Sequence, residues 1–264
     1  MSGHPNQNAC PPAMPCRWRS NRPIDAATRM KWLPRVAGLA VIGLCGTSAL
    51  AQPLGLQQVL SPSGAAGDAA GNAVAVDADT MVVGVPGHDG PAGTDQGQAL
   101  VFRWSGNTWT LEASLRAADA AGGDKFGNAV AMVGDTILVG AFQADIAGRA
   151  DQGAAYVFTR SASGWSQRAK LVASDGAAGD KFGNAVSATG DTLLVCANFA
   201  TVGTHANAGA GYVFVRAGAS WSQQAKLVAA DPQAASFLGV SGVVQGDAVV
   251  LGAFGADIGT AADR

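Results

Sequence analysis

An all-β fold built from one tandemly copied unit is predicted by three observations. The first is a fixed step of 56 residues. Asp124-Lys125-Phe126-Gly127-Asn128-Ala129-Val130 returns as Asp180-Lys181-Phe182-Gly183-Asn184-Ala185-Val186. A degraded copy precedes them at Asp68-Ala69-Ala70-Gly71-Asn72-Ala73-Val74, and Ser236-Phe237-Leu238-Gly239 follows. The second is a register that never slips, since Asp79, Asp135, Asp191 and Asp247 are evenly spaced, as are Trp109, Trp165 and Trp221. The third is composition: 36 Gly, 14% charged residues, and 18 Asp against a single Glu, Glu112. Glu favours helices and Asp favours turns, so the chain reads as short strands joined by tight turns.

Residues 124–179 serve as the type unit. Phe126 to Val133 reads as a first strand of small apolar residues. Gly134-Asp135 reads as a hairpin turn, because both residues tolerate the positive φ of tight turns. Thr136 to Ala141 is a continuous apolar run, the mark of a strand buried on both faces. Residues 142–153 form a polar loop ending at Gly153. Ala155 to Arg160 reads as a third strand and Ser161 to Gly164 as a turn. In the fourth strand, Trp165 to Ser174, alternation places Trp165, Gln167, Ala169 and Leu171 on one face. Ser166, Arg168, Lys170 and Val172 take the other.

Each unit is thus four antiparallel strands, small and apolar on the inside, charged on the outside. Blades that converge on an axis need that gradient, so the architecture is a β-propeller. A solenoid or an array of sandwiches is the alternative, but a 56-residue unit is long for one β-coil.

The repeats resemble the FG-GAP repeat, the blade unit of integrin alpha-chain heads and of many bacterial exported proteins. The motifs are Phe126-Gly127 and Phe182-Gly183, and Gly-Asp-Thr at 134–136 and 190–192. Gly140-Ala141-Phe142, Gly252-Ala253-Phe254 and Gly84-Val85-Pro86 follow, then Tyr-Val-Phe at 156–158 and 212–214. The resemblance covers roughly residues 64–264. It implies a propeller, usually of seven blades, used for extracellular binding and adhesion. It also implies calcium in the loop after the second strand of some blades. Here those loops carry Asp89 and Asp95, Asp145 and Asp151, and Asp257 and Asp263, each pair six apart. The third repeat has Thr201 and Asn207 instead. Asp145 and Asp151 make the best calcium candidate, followed by Asp89 and Asp95. The competing reading is that these residues shape turns by side-chain to backbone hydrogen bonds, because calcium takes six to eight oxygens and a dense Asp-x-Asp-x-Asp-Gly pattern is missing.

Trp109, Trp165 and Trp221 each open a fourth strand and read as blade-edge packing, with a carbohydrate platform as the alternative. Asp119, Asp175 and Asp231 read as caps at blade junctions, and Lys170 and Lys226 as solvated. Cys196 stands where the other repeats have Gly84, Gly140 and Gly252 and reads as a small core residue.

Met30 to Ala51 has the plan of a secretory signal peptide. Lys31 and Arg35 precede the apolar Val36 to Leu44, and Ala49-Leu50-Ala51 is a small-x-small cleavage site before Gln52. The apolar run is short for a membrane span, so no stable span is expected after cleavage. The protein is expected to be secreted or on the cell surface. Residues 1–29 read as a non-native extension upstream of the true start at Met30. Of four cysteines only Cys196 follows the cleavage site, so no disulfide framework is available. Beyond residue 51 eleven basic residues stand against eighteen acidic ones, which argues against a nucleic-acid partner.

No catalytic constellation stands out: His88 and His205 occupy non-equivalent positions, with no nucleophile elbow or phosphate loop. The expected role is a non-catalytic extracellular binding or adhesion module for a protein or carbohydrate ligand. Alternatives are the non-catalytic propeller of a larger exported hydrolase or lyase, or an architectural spacer. The expected layout is a lead-in at 52–67, blades at 68–123, 124–179 and 180–235, and a partial blade at 236–264. Gln57 to Leu60, one period before Ala113 to Arg116, is positioned to supply an outer strand. The chain therefore reads as truncated, at about three and a half blades, where seven would need about 390 residues.

Overall fold

The computed structural model describes residues 40–42, 58–60 and 64–257. The chain falls into two units, Met1–Arg35 and Val36–Arg264. The first lies outside the described residues, as does most of the segment read as a signal peptide.

All named elements are strands. β1 (Ala40–Ile42) pairs antiparallel with β2 (Gln58–Leu60). The first four-stranded meander is β3 (Val74–Asp77), β4 (Thr80–Val85), β5 (Gln98–Trp104) and β6 (Trp109–Leu115). The second is β7 (Ala129–Val133), β8 (Thr136–Ala141), β9 (Ala154–Ser161) and β10 (Gly164–Leu171). The third is β11 (Ala185–Thr189), β12 (Thr192–Ala197), β13 (Ala210–Ala217) and β14 (Ser220–Leu227). β15 (Ser241–Gln245) and β16 (Ala248–Gly252) form a two-stranded half-blade. The expected all-β plan of four-stranded antiparallel blades is observed.

The order of packing is that of a fan. First strands lie against first strands: β3 on β7, β7 on β11, β11 on β15. The small-residue strands are therefore innermost, as a converging array requires. An asparagine ladder runs along this inner end. Asn72 Nδ2 donates to the Asn128 carbonyl at 2.8 Å, and Asn128 Nδ2 to the Asn184 carbonyl at 3.2 Å. Val240 takes the same position in the fourth repeat.

Cores form between sheets, not within them. Val82, Ala99 and Val101 of the first sheet face Phe126, Ile137, Val139, Tyr156 and Phe158 of the second repeat. Leu138, Ala155 and Val157 of the second face Phe182, Leu193, Val195, Tyr212 and Phe214 of the third. Alternate residues of each middle strand thus serve opposite neighbours, which is why β8 is buried throughout.

Two local readings are corrected. The first strand begins at Ala129, not Phe126, because the Lys125 and Phe126 amides are used to bind Asp95 and Gln96 of the preceding repeat. The alternation of the fourth strand breaks at a bulge, where Gln167 and Ala169 pair with consecutive residues and Arg168 is left over. The same shift leaves out Glu112 and Gln224 at the equivalent positions, so the bulge is part of the repeat.

Candidate functional site

The loop after each second strand is held by backbone bonds from the next repeat. At the first seam, the amides of Gly123, Lys125 and Phe126 donate to the carbonyls of Thr94, Asp95 and Gln96 at 2.9, 3.1 and 3.1 Å. At the second, Gly179, Lys181 and Phe182 donate to Ala150, Asp151 and Gln152 at 2.9, 3.1 and 2.8 Å. At the third, Ala235, Phe237 and Leu238 donate to Ala206, Asn207 and Ala208, each at 2.9 Å. This three-bond strap explains the glycine two residues after each loop Asp or Asn. Gly153 has φ 84, and a Cβ there would lie 2.1 Å from the Phe182 carbonyl oxygen. Gly97 and Gly209 meet the same obstacle from Phe126 and Leu238.

The six-residue spacing of the loop carboxylates has a structural use. Asp89 Oδ1 accepts the amide of Asp95 at 2.9 Å, and Asp145 Oδ1 accepts that of Asp151 at 3.0 Å. Asp95, Asp151 and Asn207 all adopt φ between 51 and 56, a region that Asp and Asn enter at low cost. Asp95 also pairs with Lys125 at 2.7 Å. Asp257 exchanges backbone hydrogen bonds with the Gln233 side chain, and Asp263 lies outside the described residues. Among the described residues no group of three or more Asp, Glu, His or Cys is arranged to hold a metal ion, and calcium takes six to eight oxygens.

Where the linker crosses from the first sheet to the second, a cleft of about 250 Å³ opens. Asp119, Asp124, Asp145, Asp151, Tyr156 and Lys170 line it. Lys170, read from sequence as solvated, is instead paired. Its Nζ lies 2.6 Å from Asp119 Oδ2 and 5.6 Å above the Tyr156 ring. The second junction repeats the arrangement: Lys226 Nζ is 2.6 Å from Asp175 Oδ2 and 5.4 Å above Tyr212, whose hydroxyl donates to Asp175 Oδ1 at 3.1 Å. Asp119 and Asp175 are therefore partners of these lysines. The linker folds back over the next sheet's outer half, and strand periodicity gives no sign of that. Burial pushes the Asp119 and Asp175 carboxyls up, but the hydrogen bond and charge of the lysine outweigh it and hold both below the ordinary value.

Asp124 behaves oppositely. Its Oδ2 accepts the Ala121 amide at 2.8 Å, and burial raises its carboxyl. Asp180 does the same with Ala177. These Asp residues, buried with 5% exposure each, close the linker turn. Four carboxylates against one ammonium leave the cleft acidic.

The tryptophans pack at blade edges, as expected. Trp109 is buried, and Trp165 and Trp221 lie half-buried against inter-sheet cores. Arg160 and Arg216 lie over one face of the Trp165 and Trp221 rings at 4.8 and 5.8 Å. Cys196 is fully buried, with its thiol pushed up to about 12 by burial, which removes thiolate nucleophilicity.

Among the described residues no helix is long and apolar enough to cross a membrane. No curated protein matches the chain. The model of the FG-GAP repeat matches residues 55–102, 109–158 and 165–214. Its second and third copies begin on Trp109 and Trp165, and its first takes in β2, the segment read as an outer strand. With more than half of its length matched in three copies, each spanning parts of two adjacent sheets, the chain belongs to the FG-GAP repeat family.

Proposed function

We propose that the protein is an exported, non-catalytic binding or adhesion module whose ligand meets the loop end of the blades at the first junction. The observation that carries this reading is the acidic cleft of about 250 Å³ between linker 119–124 and loop 143–151. Rigid sheets hold its walls, which is how scaffolds present binding loops. The surplus of carboxylates suits a cationic or hydroxyl-rich surface on a protein or glycan. The buried, unreactive Cys196 thiol fits a non-catalytic role.

The test has two parts. N-terminal sequencing of the exported product is expected to begin at Gln52; a product that retains residues before it would contradict export through this leader. Binding is then measured against panels of extracellular proteins and glycans. Asp145→Asn with Asp119→Asn is expected to lower binding at least about tenfold, as loss of charged contacts does. Equal binding by the variant would move the site elsewhere.

A further inference from the structure

The two linker junctions are built alike and differ at one hydroxyl. At the second, the Tyr212 hydroxyl donates to Asp175 Oδ1 at 3.1 Å. At the first, the equivalent Tyr156 side chain is fully buried and lines the acidic cleft. Its hydroxyl bears on the Asp119 charge, but among the described residues it closes no hydrogen bond with that carboxylate or with any other group. Buried polar groups are rarely left in that state. Burial and the Asp119 charge keep the hydroxyl protonated, so it can accept a hydrogen bond as well as donate one.

The carboxylates around it are short of partners too. In the first loop Asp95 is neutralised by Lys125 at 2.7 Å. In the second loop the equivalent Lys181 lies over the Phe142 and Phe199 rings instead, at 5.5 and 4.9 Å. Among the described residues Asp124, Asp145 and Asp151 have no basic partner in ion-pair contact. Burial raises the Asp124 carboxyl, and the charges of Asp119 and Asp145 add to the rise, a repulsion that a cation in the cleft relieves. At the second junction Thr201 and Asn207 replace Asp145 and Asp151, so the surplus charge belongs to the first. The free oxygens narrow the kind of cation. Asp119 Oδ2 is taken by Lys170, Asp124 Oδ2 by the Ala121 amide and Asp145 Oδ1 by the Asp151 amide. Each of the three therefore offers one oxygen, not the pair that a guanidinium fork takes. Calcium gathers its oxygens at about 2.3–2.6 Å, and no such group is gathered among the described residues. An ammonium has three N–H donors that point apart, each reaching an oxygen at about 2.7–2.9 Å. The cleft of about 250 Å³ has room for that group and the alkyl chain behind it.

We propose that the first-junction cleft takes one primary ammonium group, from a lysine side chain of a partner protein or from a free polyamine, held by Asp124, Asp145 and the Tyr156 hydroxyl. This rests on the reading of the cleft as the ligand site and names the group that enters it. Tyr156 accepts from the ammonium and donates to Asp119, which completes at the first junction the bond that Tyr212 already makes at the second. The second junction is closed by comparison: its hydroxyl is used, and its loop carries Thr201 and Asn207 where the first has carboxylates.

The experiment is an NMR titration of the full chain at low salt with Nα-acetyl-lysine amide, spermidine and Nα-acetyl-norleucine amide. The lysine probe is expected to bind with a dissociation constant of about 1 mM. It is expected to shift the amides of Asp124, Asp145 and Tyr156 and to leave those of Asp180, Thr201 and Tyr212 in place. The norleucine probe has the same chain without the charge and is expected not to bind. Tyr156→Phe loses no hydrogen bond of the free protein, so it is expected to keep the wild-type melt while weakening the lysine probe about fivefold. Asp145→Thr with Asp151→Asn writes the second junction's loop residues into the first and is expected to weaken it more than about tenfold. Tyr212→Phe is expected to leave binding unchanged. Tighter binding of the lysine probe assigns the ammonium to a protein, and tighter binding of spermidine, counted per ammonium, assigns it to a polyamine. Shifts that do not localise to the first junction, binding of the norleucine probe, tighter binding of Nα-acetyl-arginine amide, or wild-type affinity in Tyr156→Phe would each overturn the proposal. Calcium that binds more tightly than the amine and is lost in the same loop variant would overturn it as well, by assigning the carboxylates to a metal. The broader reading fails separately: it stands or falls on whether Asp145→Asn with Asp119→Asn lowers binding to an extracellular protein or glycan.

Discussion

The second and third seams, at either side of the third sheet, share a backbone and differ in their filling. Both carry the three-bond strap, and both use a left-handed residue followed two positions later by glycine. At the second seam Phe182 is fully buried and packs edge-on against Tyr212 and Phe214 at 5.4 and 6.0 Å. At the third, half-buried Leu238 replaces it. Cys196 stands there where Gly84 and Gly140 stand at the first two seams, and Gly242 where they have Val130 and Val186. The exchange is reciprocal, since a Cβ at Gly242 would lie 2.9 Å from Cys196 Sγ. Volume moved from one side of the seam to the other. The strap is therefore what the repeat cannot change, and side-chain filling is what it can.

The strap gives the largest expected effect. Gly153→Ala and Gly209→Ala place a Cβ against a carbonyl at positive φ, and each is expected to cost about 3 kcal/mol or more. Gly179→Ala, at φ 82 with nothing within 4 Å, is the control and is expected to cost about 1 kcal/mol. Denaturant melts check this, and unequal losses at Gly153 and Gly209 would break the equivalence of the two seams.

Filling comes next. Phe182→Ala is expected to cost about 3–5 kcal/mol, and Leu238→Ala about 2 kcal/mol because Leu238 is only half-buried. Gly242→Val alone is expected to cost about 1–3 kcal/mol by overpacking. Combined with Cys196→Gly, which restores the arrangement of the first two seams, it is expected to show a favourable coupling of about 1 kcal/mol. Additive losses would mean that the two positions do not compensate.

The smallest effect belongs to the linker clasp. Asp175 is about half exposed, so Asp175→Asn is expected to cost no more than about 1 kcal/mol after solvent screening. Its folded carboxyl lies below the ordinary value of 3.8, so its contribution is present above that pH and lost as pH falls through the folded value. Asp180 has the opposite sign: raised by burial, it favours the fold when protonated, and that contribution is lost as pH rises through its folded value. Acid melts of Asp175→Asn are therefore expected to converge on wild type below the folded pKa of Asp175, while Asp180→Asn departs from it above 3.8.

Legibility in the sequence follows the same division. The period, the hairpin turns and the middle strands were readable because burial on two faces writes itself as runs such as Thr136 to Ala141. The bulge at Arg168 was not, since one extra residue leaves the alternation on either side looking regular. The lysine clasp was hidden for a different reason. Lys170 and Asp119 are 51 residues apart, and only the return path of the linker brings them together. The Asp-x5-Asp spacing was visible, but its use as a loop brace depends on the left-handed backbone at the second residue. The strap left the clearest trace, in glycine at 97, 153 and 209, although nothing in one repeat says which carbonyl forbids a side chain.

The most direct measurement is native-state hydrogen exchange of the strap donors at all three seams. Phe126, Phe182 and Leu238 amides are expected to exchange only by opening of the array, with protection comparable to that of Leu138 and Leu194 in the middle strands. Fast exchange of the strap amides at any seam, with the flanking strands still protected, would contradict a shared backbone seam.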